Sequence, residues 1–123
     1  MENEFSVDVH RIDGTDIIFV KISGEIKDDE SKILYKKTEQ VVLTLNNPDN
    51  VKLLIDASDA GKAFSKARKQ FVSVLKKDDV KKVAILGGKP FMRAMLAFYR
   101  ILSGVDKIRG FSLKENAIAW LSD

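Results

Sequence analysis

The sequence predicts an α/β fold: a mixed, mostly parallel five-stranded sheet opened by a β-hairpin and covered by about four helices. Three observations lead there. Val51–Ile55 and Val83–Leu86 are short apolar runs bounded by turn residues, too brief for helices and suited to interior strands. After residue 27, strand-like and helix-periodic stretches alternate, which implies parallel strands joined by right-handed crossovers with helices on both faces. Before it, two alternating segments flank Asp13-Gly14, a pair suited to the positive φ angles of a type I′ hairpin turn.

In chain order, Phe5, Val7, Val9 and Arg11 alternate with Ser6, Asp8, His10 and Ile12, and a second strand covers 17–26. Asp28, Asp29 and Glu30 suit the first turn of a helix over 29–46, which places Leu34, Thr38, Val41, Val42 and Leu45 on one face and ends before Pro48. The interior strand at 51–55 leads through a polar loop into a helix over 63–77. Phe64, Ala67, Phe71, Val74 and Leu75 face inward there, with Lys66, Lys69, Gln70, Ser73 and Lys77 outside. After the strand at 83–86, Gly87-Gly88-Lys89-Pro90 turns into a helix over 91–103 that is apolar nearly all round, broken by Arg93 and Arg100. A strand over 107–111 and a helix from Leu113 close the chain, with Ser112-Leu113-Lys114-Glu115 reading as a capping box and Ala117, Trp120 and Leu121 facing inward.

Composition narrows the function classes. The 123 residues suit one domain over 1–123, and 45% hydrophobic with 32% charged residues is a globular balance. No apolar run approaches the ~20 residues of a membrane span, and Met-Glu-Asn-Glu lacks the features of a signal peptide, so a cytoplasmic setting is expected. The absence of cysteine excludes disulfides, thiolate chemistry and Cys-ligated metals. A net charge of +3 drawn from many charges of both signs gives no argument for nucleic acid.

The sharpest local signal is a misfit. Lys66, Arg68 and Lys69 crowd the start of a helix, where each opposes the backbone dipole at a cost of a few tenths of a kcal/mol. With Gly61, Lys62 and Ser65, and with Gly88, Lys89 and Arg93 expected beside them at the carboxyl edge of the sheet, they form a candidate anion site. Read plainly, the same residues are a solvated face with Ser65 as an N-cap. Neither Gly-Lys pair is a Walker A loop, since Lys62 precedes Ala63 and Lys89 precedes Pro90. Phe91, Met92, Met95, Phe98, Tyr99 and Leu102 are core, or else a homodimer surface or the wall of a hydrophobic-ligand site. His10, the single histidine, reads as a surface residue, and Asp49, Asp56 and Asp59 lack EF-hand spacing. Asp56 and Ser58 are expected to fix the loop through side-chain to backbone bonds. Nothing supplies a nucleophile with its base, so no enzyme, metal or cofactor is expected.

The element order, with Leu54-Ile55-Asp56-Ala57-Ser58-Asp59, Lys82-Val83-Ala84-Ile85-Leu86-Gly87-Gly88 and Ala117-Ile118-Ala119-Trp120-Leu121, resembles the SpoIIAA-like family and, more distantly, STAS domains. The resemblance spans nearly the whole chain. It implies a non-catalytic binding or regulatory module working through a protein partner or a small anionic or lipid ligand at the carboxyl edge. The likeness to anti-anti-sigma factors implies a phosphorylation switch at Ser65, or at Ser58, although Phe64-Ser65-Lys66-Ala67 departs from the Asp-Ser-Ser-Gly usual there. The family is also likened to lipid-binding CRAL-TRIO domains, which fits an apolar third helix.

Overall fold

A computed structural model describes residues 4–63, 65–87 and 107–123, without the side chains of residues 62, 63, 65 and 67. The chain runs β1 (Ser6–Arg11), β2 (Ile17–Ile26), α1 (Asp28–Val42), β3 (Val51–Ala63), α2 (Ser65–Leu75), β4 (Val80–Leu86), β5 (Ile108–Phe111) and α3 (Lys114–Ser122). The strands lie in the order β1-β2-β3-β4-β5. β1 pairs antiparallel with β2, and the other three pairings are parallel. Three helices are present among the described residues, and the helix expected at 91–103 lies outside them, as do Gly88, Lys89, Arg93, Phe91, Met92, Met95, Phe98, Tyr99 and Leu102.

The central strands are buried on both faces, which explains their nearly unbroken apolar runs. Ile18, Val20, Ile22, Leu53, Ile55, Val83, Ile85 and Ile108 form one core with Leu34, Val41 and Val42 of α1 and Phe71, Val72, Val74 and Leu75 of α2. Ile17, Phe19, Leu54, Ala84 and Leu86 point the other way and pack against Ala117 and Leu121 of α3. Strand order accounts for the division. Each parallel crossover steps to the next neighbour in the same direction, so right-handed connections put α1 and α2 on one face.

Several local expectations change. The β1–β2 turn is not type I′: Gly14 has φ 76°, and no non-glycine residue among those described has positive φ. Thr15 N–H donates to Ile12 O at 3.1 Å, so Gly14 is the third residue of the turn, as in type II. Thr15 Oγ1 locks it by donating to Ile12 O at 2.8 Å and accepting from Ile17 N–H at 3.0 Å. α1 stops at Val42 rather than 46, because Thr44 and Leu45 N–H turn back to Val41 and Val42 O. Beyond that, Asp16 accepts the N–H groups of Asn46 and Asn47, each at 3.1 Å. The capping box does not form, since α3 begins one residue later than the pattern requires. Leu113 is the N-cap, which leaves Ser112 outside and Glu115 at the second helical position. The other end of α3 is capped instead by Lys82 Nζ, which donates to Trp120 O at 2.8 Å and Asp123 O at 3.2 Å.

The largest difference concerns β3. The polar loop expected at 58–64 is strand as far as Ala63, pairing with the end of β2 through Ser23↔Asp59, Gly24↔Ala60 and Ile26↔Ala63. Two register shifts, each with one extra residue on β3, carry it past the polar residues. The second brings Gly61 against the β2 backbone, where a Cβ would stand 3.2 Å from Gly24 C and Glu25 N.

Candidate functional site: an apolar hollow beneath two helices

Between α1, α2 and the sheet lies a half-open hollow of about 340 Å³. Val20, Ile22, Leu53 and Ile55 floor it, Leu34, Thr38 and Val42 form one wall, and Phe71 and Val74 form the other. Tyr35, Glu39, Leu43, Gln70, Lys77 and Asp79 rim it, with Leu43 83% exposed. The space exists because the inward positions of α1 include the short Ser31 and Thr38 where a bundle helix would carry large apolar side chains. Both hydroxyls turn back on their own helix. Ser31 Oγ donates to Asp28 O at 2.7 Å and Thr38 Oγ1 to Leu34 O at 2.8 Å. With those groups satisfied, the two side chains add little polarity to the wall.

The polar chemistry sits at the rim. Lys77 Nζ donates to the Tyr35 hydroxyl, bridging α1 and the exit of α2. That hydrogen bond raises the Lys77 pKa above the ordinary lysine value, partial burial opposes it, and the charges of Glu39 and Asp79 add to it. Lys107 Nζ fastens the same exit by donating to Lys77 O at 3.1 Å and Val80 O at 2.9 Å. Burial lowers the pKa of this lysine.

The carboxyl edge looks different. Gly87, with φ 62°, packs so closely on β3 that a Cβ would come 2.4 Å from Ser58 Oγ. β3 then continues beyond that point, so Gly61 faces the end of β2, in a shallow depression bordered by Glu4, Glu25, Lys27 and Glu30. Lys62 lies in β3 and Ser65 begins α2. Lys66 and Lys69 are exposed and Arg68 is half-buried, and the first turn of α2 holds no acidic residue. Nearer the strand end, Lys21 Nζ lies 3.5 Å from Asp56 Oδ2 and 3.3 Å from Asp59 Oδ2. The bond to Asp59 and the charge of Asp56 raise the Lys21 pKa. Burial pushes Asp56 up, but hydrogen bonds from the Ser58 side chain and backbone, with the Lys21 ammonium, outweigh it and hold the carboxyl below its usual range. His10 is an exposed strand residue beside Asp8 and Phe19. Among the described residues, no group of three or more His, Cys, Asp or Glu is arranged to hold a metal.

Of the residues proposed from sequence, those described thus divide between the acidic surroundings of Gly61 and the cationic start of α2. The hollow and its rim were not anticipated. The usable signal was Ser31 and Thr38 interrupting the inward stripe of an otherwise amphipathic helix.

This architecture, a sheet opened by a hairpin and extended by parallel strands with helices on both faces, defines an α/β class. A family model described as SpoIIAA-like matches residues 17–122, and the chain belongs to that family. A search of curated proteins finds no match. Among solved structures, the chain is similar to an uncharacterized protein of Shewanella loihica with a SpoIIAA-like fold, at 15% identity over 98% of this chain and 96% of that one, TM-score 0.70. It is also similar to an anti-sigma factor antagonist from Mycobacterium paratuberculosis, at 19% identity over 98% and 96% of the two chains, TM-score 0.69. The anti-sigma factor antagonist SpoIIAA in its unphosphorylated form matches at 10% identity over 97% and 98%, TM-score 0.65. At these identities the likeness establishes the fold.

Proposed function

We propose that the protein is a non-catalytic regulatory module that holds a small lipid-like ligand in the hollow beneath α1 and α2 and acts through contact with a protein partner. The observation that carries this reading is the hollow itself, an apolar concavity with a few polar groups gathered at one rim. We place the ligand there rather than at the carboxyl edge because Gly61 sits among three carboxylates and one ammonium, which disfavours an anion. Support for the regulatory half is the fold shared with two anti-sigma factor antagonists. The cationic start of α2, with Lys66, Arg68 and Lys69 and no acidic residue in its first turn, suits an acidic partner surface.

Titration with the neutral apolar dye N-phenyl-1-naphthylamine tests the ligand half. Saturable one-to-one binding is expected, with its loss in Val74→Trp, whose ring would enter the hollow. A dye signal that never saturates would contradict the assignment. For the partner half, a photo-crosslinker at position 66 should capture one discrete protein in cells, and Arg68→Glu combined with Lys69→Glu should abolish the capture. Phosphorylation is a separable alternative. Ser58 lies beside the carboxylates of Asp56 and Asp59, which oppose a second concentration of negative charge, so a switch of this type falls to Ser65. Mass spectrometry of protein from its own cells, sampled across growth states, decides whether either serine carries phosphate.

A further inference from the structure

We infer that the hollow selects an uncharged single-chain lipophile ending in a hydrogen-bonding group, an alcohol, ketone or ester, over an ionised fatty acid of the same length. This rests on the ligand half of the reading above and names the class of ligand.

Size comes first. An engineered apolar cavity of about 150 Å³ takes one benzene, so a hollow of about 340 Å³ holds roughly 13 carbon atoms on the same scale. That suits a chain of about ten carbons with its end group at the rim.

Charge at the rim decides the end group. One ammonium, Lys77, stands with two carboxylates, Glu39 and Asp79. The ammonium already donates to the Tyr35 hydroxyl and lies in the field of both carboxylates. A ligand carboxylate arriving there meets two like charges and a cation whose attraction is shared.

Neutral chemistry has matching partners. Tyr35 accepts from Lys77, and no described residue accepts the proton of its hydroxyl. The Gln70 side-chain amide likewise makes no hydrogen bond among the described residues. Together they offer donors and an acceptor to a carbonyl or hydroxyl oxygen at the mouth of an apolar slot. A ligand that reached these groups without ionising would keep its end hydrogen-bonded and its chain dry.

Isothermal titration with 1-decanol and decanoate at neutral pH and low salt tests the inference at constant chain length. The expected result is one-to-one binding of 1-decanol, with decanoate weaker by roughly three- to tenfold. Decanoate binding as tightly as decanol would overturn the neutral selectivity and leave the ligand site standing. No binding of either would overturn both. Two variants locate the effect. Glu39→Gln should raise decanoate affinity roughly three- to tenfold and leave decanol unchanged, because it removes only a repulsion. Tyr35→Phe should weaken decanol by roughly three- to tenfold, the effect of one hydrogen bond, while the binding of decane is unchanged. A Glu39→Gln protein that still discriminates fully against decanoate, or a Tyr35→Phe protein that binds decanol normally, would show that the rim does not set the selectivity. Circular dichroism of each variant establishes that it is folded before titration.

Discussion

The two faces of one sheet are covered by helices in opposite ways. Under α3 the fit is closed: Ala117 lets the helix approach the sheet, Leu121 is fully buried, and Lys82 ties the helix end to β4. Trp120 and Phe111 complete that side, with ring centroids 5.6 Å apart and Lys82 5.0 Å from the Trp120 ring. Under α1 and α2 the floor is equally apolar, yet short side chains on α1 and a rim held by the Lys77–Tyr35 bond leave a hollow. The floor strands are the same, so the difference lies in helix residue size. One face is closely packed and the other keeps a hollow.

That contrast can be broken most strongly at Leu121. Leu121→Ala removes a fully buried side chain from the closed face and should destabilise by about 2–5 kcal/mol, read as a lower urea midpoint. A loss under about 1 kcal/mol would mean that this face is no tighter than the other. Gly87→Ala comes next. A left-handed φ and a Cβ 2.4 Å from Ser58 Oγ together should cost about 1–3 kcal/mol in the same assay. On the open face the sign reverses. Thr38→Ile fills space without orphaning a partner other than a helix carbonyl already in the ladder, and should stabilise by about 1 kcal/mol while weakening dye binding. A destabilised Thr38→Ile protein would show that the hollow has no room for added carbon.

The smallest effect is electrostatic. The Asp56 pKa is lower in the folded chain than its ordinary 3.8, so its contribution is present above that value and is lost as pH falls through the folded pKa. Asp56→Asn should therefore flatten the acid limb of a stability profile below about pH 4. For Lys77, raised above 10.5, the sign is opposite: its contribution is present below 10.5 and fades as pH rises through the higher folded value. Tyr35→Phe should remove that alkaline loss.

Much of the frame was legible because strands buried on two faces are written as apolar runs. The second strand was read over 17–26, where it occurs, and the interior runs at 51–55 and 83–86 lie inside β3 and β4. The family could be read from the same runs in order. What failed was local polarity. Asp56, Ser58 and Asp59 resemble a loop in isolation, but β2 is long enough to pair with the two aspartates, and Lys21 lies within 3.5 Å of both carboxylates. The capping box failed by one residue of helix register, a margin no local pattern fixes. The hollow was illegible for a deeper reason, since a gap belongs to no segment and arises only where two helices meet a sheet. Even so, Ser31 and Thr38 stood in the inward stripe as its trace.

Methyl-resolved NMR during a 1-decanol titration separates the two faces in one experiment. Saturable shifts should appear at Ile22, Val42, Leu53 and Val74, which border the hollow, while Leu54, Ala117 and Leu121 under α3 stay still. Equal shifts on both faces, or shifts confined to the α3 side, would contradict the division between a closed face and an open one.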